Sequence, residues 1–413
     1  MDIVSQFKVI LSYVGGLFNE NMLSLAYHTK GTHTMKVVVA IDSLKGCLSS
    51  LEAGEAIKTG ILNVIPEADV LVRPLADGGE GTVEALTLGM GGKLMHVTVT
   101  GPLGNPVDCV YGILADRQTA VIEMACASGI TLVPEAKRNP LHTTTYGVGE
   151  IIKDAIEKGC CHFIVGIGGS ATNDGGIGML QALGYGMLDK DGNQVAHGAI
   201  GLKDLETITE NAVIPKLKEC TFRIACDVTN PLCGENGCSA VFGPQKGANA
   251  DMISEMDQWL AHYAKLTSEK YENADANYPG TGAAGGMGFA FLSFTNAVLE
   301  SGVKIILEET NLENDIKDAD IVITGEGRID TQTAYGKAPI GVAKLAKKYD
   351  KKVLAFAGTI SEDSDICKKH GIDEFYQITP LSQSLAEAMT PSIAKENMID
   401  TVEQVFLQNP MHR

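Results

Sequence analysis

The residues able to do chemistry fall in short clusters, each directly behind an apolar, strand-like run. Asp42-Ser43-Leu44-Lys45-Gly46 follows the run at 37–41. Ligands of open α/β sheets bind outside the carboxyl ends of strands, so Asp42 there could orient a hydroxyl or bind a metal, and Lys45 could neutralise a carboxylate or phosphate. The plainer alternative is a turn with Asp42 capping and Lys45 solvated. Asp77-Gly78-Gly79-Glu80-Gly81-Thr82 follows residues 68–74. Its two carboxylates suit metal coordination or hydroxyl binding. An Asp-Gly turn with an acid in the first helical turn accounts for Asp77 and Glu80, but not for glycine at 78, 79 and 81. Asp227, closing the run 222–227, is a candidate base or metal ligand, or an Asx turn ahead of Pro231. Lys246, in Gly243-Pro244-Gln245-Lys246-Gly247, could meet a phosphate.

The segment 324–333 compresses Gly325, Glu326, Gly327, Arg328, Asp330 and Thr331 into what reads as a glycine loop behind a buried strand. Arg328 offers a planar fork for carboxylate or phosphate oxygens, or a structural ion pair with Glu326 or Asp330. Lys337 precedes a helix starting near Pro339, a second place for an anion. The longest cluster is Gly166-Ile167-Gly168-Gly169-Ser170-Ala171-Thr172-Asn173-Asp174-Gly175-Gly176-Ile177-Gly178, set between a strand at 163–165 and a helical pattern at 179–183. Such a turn presents backbone N–H groups and a positive helix end to an anion. Ser170, Thr172, Asn173 and Asp174 add groups for a hydroxyl, a phosphate or a hydrated metal. The run is neither G-x-x-x-x-G-K-[ST] nor a clean dinucleotide fingerprint. A further flexible run at 281–288 reads as a hinge or a place of close approach to a nucleotide.

These clusters must be positioned by a fold, and the patterning supplies one. Residues 37–41, 49–65 (with Ser49 or Ser50 as N-cap), 68–74 and 81–88 alternate strand and helix, the grammar of a parallel sheet covered by helices. After Gly92 the grammar changes: strands at 94–100 and 107–114 joined by a turn, a strand at 119–124, and a helix at 143–158. Alternation returns with a helix at 289–300, short strands at 304–306 and 319–324, a helix at 339–349 and a strand at 352–357. The expected fold class is α/β: a discontinuous parallel-sheet, Rossmann-like domain (35–93 and 287–413) with a mixed α+β domain (94–286) inserted, and the active site in the cleft between them.

With 413 residues, 45% hydrophobic and 20% charged, the chain reads as a soluble globular protein of two or three domains. A formal charge of −18 argues against nucleic acid or an anionic membrane as a partner. Ten cysteines without a regular framework fit reduced thiols and a cytoplasmic location, and the spacing of Cys226, Cys233 and Cys238 matches no zinc pattern. No apolar run approaches the roughly 20 residues needed to span a bilayer. Residues 1–34 lack a basic n-region and are expected to be an appendage to a core beginning at Met35, with a weak organellar targeting segment as the alternative.

From Met35 onward the chain resembles the type-1 glycerate kinase family. The matching segments are Ala40-Ile41-Asp42-Ser43-Leu44-Lys45-Gly46, Pro74-Leu75-Ala76-Asp77-Gly78-Gly79-Glu80-Gly81-Thr82, Gly101-Pro102-Leu103-Gly104, 166–176, Cys226-Asp227-Val228-Thr229-Asn230-Pro231-Leu232, Phe242-Gly243-Pro244-Gln245-Lys246-Gly247, 279–288 and 324–333. Ile41 stands where the family often has Pro, and Cys47 where it usually has Ser or Thr. The resemblance implies a two-domain kinase that uses ATP with Mg²⁺ and D-glycerate, giving 2-phospho-D-glycerate. Asp42, Lys45, Asp227 and Arg328 are then expected to be catalytic, with Asp42 or Asp227 as the base. Gly168, Gly169, Ser170, Thr172, Asn173, Lys246, Gly325, Glu326 and Lys337 are expected to hold the nucleotide. Asp77, Gly78, Gly79, Glu80, Asp330 and Thr331 are expected to hold the substrate, and Asp77 and Asp174 the metal. The alternatives are a kinase of another hydroxy acid, or a non-catalytic sugar-acid or nucleotide sensor on the same scaffold.

Overall fold

The structure, a computed structural model, describes residues 34–408; the reading of the preceding residues as an appendage lies outside them. In chain order the strands are β1 (Lys36–Val39), β2 (Asp69–Val72), β3 (Lys93–Thr100), β4 (Pro106–Ile113), β5 (Thr119–Glu123), β6 (His162–Gly166) and β7 (Gly186–Leu188). They continue with β8 (Thr207–Thr209), β9 (Thr221–Ala225), β10 (Asn296–Glu300), β11 (Ile321–Ile329), β12 (Lys352–Ile360) and β13 (Glu374–Gln377).

Two sheets dominate. The first is five-stranded and wholly parallel, in the order β13-β12-β11-β1-β2. The chain winds outward from β1 to β2 on one side and from β11 to β13 on the other, so the order reverses between β1 and β11. That switch point opens a crevice at the strand ends where ligands of α/β sheets bind. The second sheet is six-stranded, in the order β10-β9-β6-β5-β4-β3; β3, β4 and β5 form an antiparallel meander, and β5, β6, β9 and β10 run parallel. Each sheet has its own apolar core, but the core of the first also takes in Val121, Ile164 and Ala225 from β5, β6 and β9.

Most elements follow from the sequence pattern. Helix Ser50–Val64 starts at a capping box between Ser49 and Glu52 and buries Ala53, Ala56, Ile57 and Ile61. The differences have local causes. Residues 304–306 are not a strand: they lie in helix Gly302–Glu309, whose spacing buries Val303, Ile305 and Ile306 together. The helix expected at 289–300 is Ala283–Phe294; it ends at the extended Thr295, and β10 then pairs in parallel with β9. The second sheet therefore extends beyond residue 287, where return to the first was expected. The glycine loop expected within 324–333 is instead strand: β11 continues to Ile329, pairing Gly325 with Phe356 and Arg328 with Thr359. Glycine is required here because a Cβ on Gly325 would lie 1.8 Å from the Phe356 carbonyl oxygen.

Candidate active site

Three strand-end segments converge through close backbone contacts. Ser50, buried at the start of its helix, donates its hydroxyl to the Ile41 carbonyl (2.8 Å) and accepts from the Leu75 N–H (3.0 Å), tying the segment behind β1 to that behind β2. No sequence signal beyond its capping position pointed to Ser50. Gly78 sits at φ +88°, and a Cβ there would lie 2.6 Å from that of Ala225 at the end of β9. A Cβ on Gly166, at the end of β6, would lie 2.3 Å from the Gly78 carbonyl oxygen. The turn behind β2 is thus pressed against the ends of β6 and β9, which explains a glycine that a plain Asp-Gly turn does not require.

Two pockets result, and Asp77 lines both. The first, about 640 Å³, lies at the switch point between β1 and β11. Asp42, Lys45, Glu326, Arg328, Asp330 and Lys337 supply its charge. Its apolar wall includes Ile378, Leu385, Met389 and Ala394, from a C-terminal stretch that a search for polar clusters passes over. Asp42 is 6% exposed. Burial, reinforced by the neighbouring Asp77 charge, pushes its carboxyl up to about 7, against the opposing Ser43 N–H bond (2.7 Å). Glu326 is raised by burial too, although Thr333 donates to it at 2.6 Å and Lys337 lies at 3.2 Å. The cations of this pocket are each near a carboxylate: Lys45 is 3.7 Å from Asp77 and Arg328 is 3.5 Å from Asp330.

The second pocket, about 440 Å³, lies at the ends of β6 and β9. Gly78, Gly79, Gly168, Gly169, Ser170, Asp227 and Lys246 line it. The Gly302 N–H donates to Asp227 at 3.2 Å, and burial raises the Asp227 carboxyl despite that bond and one from Ser301. Lys246 is 2% exposed; its ammonium donates to Ser170 Oγ (2.8 Å) and the Thr172 carbonyl (2.6 Å), and burial pushes its pKa down to about 8.

Several expected site residues lie elsewhere. Thr172, Asn173 and Asp174 are fully buried behind the turn rather than on the pocket wall. Asp174 accepts from the Thr145 N–H and hydroxyl (2.9 Å each) and from the Gly176 N–H (3.1 Å). Its Oδ2 ties the turn to Thr145, which precedes helix Tyr146–Glu157, and its Oδ1 accepts within the turn, so both oxygens of this expected metal ligand are engaged by protein donors. Asn173 donates to Ser239. Gly325 is packed inside β11, Thr331 donates to Asp363, and Glu80 opens onto a neighbouring groove with Glu52 and Glu84. Asp330 lines the first pocket while capping a short helix by accepting from Gln332 and Thr333. Among the described residues, no group of three or more His, Cys, Asp or Glu side chains is placed to hold a metal ion. No described helix is long and apolar enough to cross a membrane.

A mixed α/β scaffold with strand-end pockets rich in carboxylates and cations defines a class of small-molecule enzymes, and sequence comparison makes it specific: the profile of the glycerate kinase family matches residues 37–408, so the chain belongs to that family and is a kinase. It is 49% identical over 354 residues to the glycerate 2-kinase of Escherichia coli (strain K12), covering 86% of this chain and 93% of the relative. The glycerate kinase of Bacillus subtilis (strain 168) shows the same identity and coverage. A solved structure described as a glycerate kinase 2 of Salmonella typhimurium LT2 superposes with a TM-score of 0.84 at 47% identity, covering 91% of this chain and 98% of that one.

Proposed function

We propose that this protein transfers the γ-phosphoryl group of ATP to the 2-hydroxyl of D-glycerate, giving ADP and 2-phospho-D-glycerate. The observation that carries this reading is the row of carboxylates Asp42, Asp77 and Asp227 across two adjoining pockets, with cations in both. Phosphoryl transfer needs two bound partners held in line and charge neutralised between them. The hydroxyl oxygen attacks the γ-phosphorus, the bond to the β-phosphate oxygen breaks, and the hydroxyl proton passes to a carboxylate. Asp42 and Asp227, on either side of Asp77, are the candidates, and burial raises both as a base requires. Lys45, Arg328 and Lys337 offset the charge of the transferred group. We further propose the division of the chain into two domains, with the boundary after β10 rather than at residue 287.

Mg²⁺ is the metal the family implies. It keeps several waters and takes one or two carboxylates beside substrate phosphates, so it needs no cage of protein ligands. Asp77, with the buried Asp42 whose ionisation the Asp77 charge opposes, fits that donor set. The ion supplies charge neutralisation at the phosphates. Incubating the pure protein with Mg·ATP and a panel of hydroxy acids, and locating the new phosphate by phosphorus NMR, tests the reading. ADP release with D-glycerate and a phosphate on carbon 2 are expected; no ADP release with D-glycerate would refute it.

A further inference from the structure

Lys246 carries a charge that no ion pair compensates, although the buried Asp174 carboxylate acts on it from beyond ion-pair distance. The lysine side chain is 2% exposed, and its bonded partners are a hydroxyl and a carbonyl, both neutral. Among the described residues no carboxylate lies within ion-pair distance of it. Burying an ammonium without a counter-ion is unfavourable, so an anion arriving beside it gains a strong interaction. Lys246 lines the second pocket, and there the N–H groups of Gly168 and Gly169 have no hydrogen-bond partner among the described residues. These donors and the ammonium together form a receptor for one small anion.

The contents of the two pockets decide which anion. A triphosphate carries several negative charges and an apolar base. The first pocket offers Lys45, Arg328 and Lys337 beside an aliphatic wall, whereas the second is smaller and has one cation beside Asp77 and Asp227. Resting on the kinase reading above, we infer that Lys246, with the Gly168-Gly169 turn, binds the carboxylate of the acceptor acid, so that the second pocket holds the acceptor and the first the nucleotide. Lys246 is then the residue that makes the enzyme select a hydroxy acid over a plain alcohol. The assignment also puts Asp227, rather than Asp42, beside the acceptor hydroxyl as its base.

The test compares the full-length wild type with Lys246→Met, using ADP release with D-glycerate, with glycerol (the same carbon chain without the carboxylate) and with ATP varied. The variant is expected to raise KM for D-glycerate by about 30- to 1,000-fold, the loss typical of a buried charged partner. KM for ATP should change less than about threefold, and the preference for D-glycerate over glycerol should collapse. A second measurement needs no variant: D-glycerate binding to the wild type, followed by calorimetry, should weaken as pH rises through about 8, where the Lys246 ammonium loses its proton. Asp174 and Cys238 act on Lys246 electrostatically, and Asp77, Asp227 and Cys226 share its pocket. Burial pushes both thiols up, Cys238 to about 11, which separates them from Lys246. A variant with unchanged KM for D-glycerate but raised KM for ATP would overturn this inference and leave the kinase reading intact. No turnover of D-glycerate by the wild type would overturn both.

Discussion

The two pockets present positive charge in opposite ways. At the switch point of the first sheet, Lys45, Arg328 and Lys337 are partly exposed, and each leans on a carboxylate it can leave. At the ends of β6 and β9 a single lysine is buried against neutral oxygens. Exposed ion pairs of the first kind contribute little to stability and rearrange readily, which suits a ligand whose charge changes as a phosphoryl group leaves. A buried, preorganised ammonium suits a carboxylate that stays unchanged through the reaction. Two relatives matched over 93% of their length are named glycerate 2-kinase and glycerate kinase.

The strongest way to break this contrast is at the bases. Asp227→Asn is expected to lower kcat by about 10²- to 10⁴-fold, the usual contribution of general base catalysis, with KM for ATP little changed. Steady-state assays check this; an Asp227→Asn enzyme with wild-type kcat would remove Asp227 from the chemistry.

The next largest effect separates the front of the 166–178 turn from its back. Asp174→Ala leaves the Thr145 N–H and hydroxyl and the Gly176 N–H without their acceptor in a fully buried place. A loss of roughly 3–5 kcal/mol in unfolding free energy is expected, measured by denaturant titration. A melt unchanged by this substitution would contradict the structural role given to Asp174.

The pH dependence of stability sharpens the comparison, because the two buried charges pull in opposite directions. In the ligand-free protein Asp42 binds its proton up to about 7 instead of 3.8, so the folded state holds more protons than the unfolded one between these values. Its contribution therefore falls as pH rises from about 4 to 7. Lys246 gives up its proton near 8 instead of 10.5, so the unfolded state holds more protons between these values. Its unfavourable contribution is complete below 8 and is relieved as pH rises toward 10.5. The first is about 4 kcal/mol and the second about 3 kcal/mol. Subtracting the stability–pH curve of Asp42→Asn from that of the wild type should isolate the acid limb, and Lys246→Met the alkaline limb. Parallel curves for wild type and variants would contradict the burial of these charges.

Much of this was legible in the sequence, because ligand chemistry sits where apolar runs end. Asp42, Asp77, Asp227, Glu326 and Lys246 were each marked by position behind a strand or by a glycine-rich neighbourhood, and each lines a pocket. Asp174, Thr172 and Asn173 carried the same signal but turned inward, since composition cannot distinguish a polar group facing a ligand from one buried behind its own turn. Gly325-Glu326-Gly327 read as a loop because glycine marks both turns and close strand packing, and only the approach of Phe356 decides between them. The apolar wall of Leu385 and Met389 comes from a distant part of the chain, and local pattern holds no trace of that contact.

The division of labour between the pockets is tested most directly by a crystal structure of the full-length protein with Mg²⁺, a non-hydrolysable ATP analogue and D-glycerate. The account predicts the triphosphate within hydrogen-bonding reach of Lys45, Arg328 and Lys337, with the glycerate carboxylate on Lys246 and its 2-hydroxyl toward Asp227. A triphosphate seated on Lys246, with glycerate beside Arg328, would contradict it.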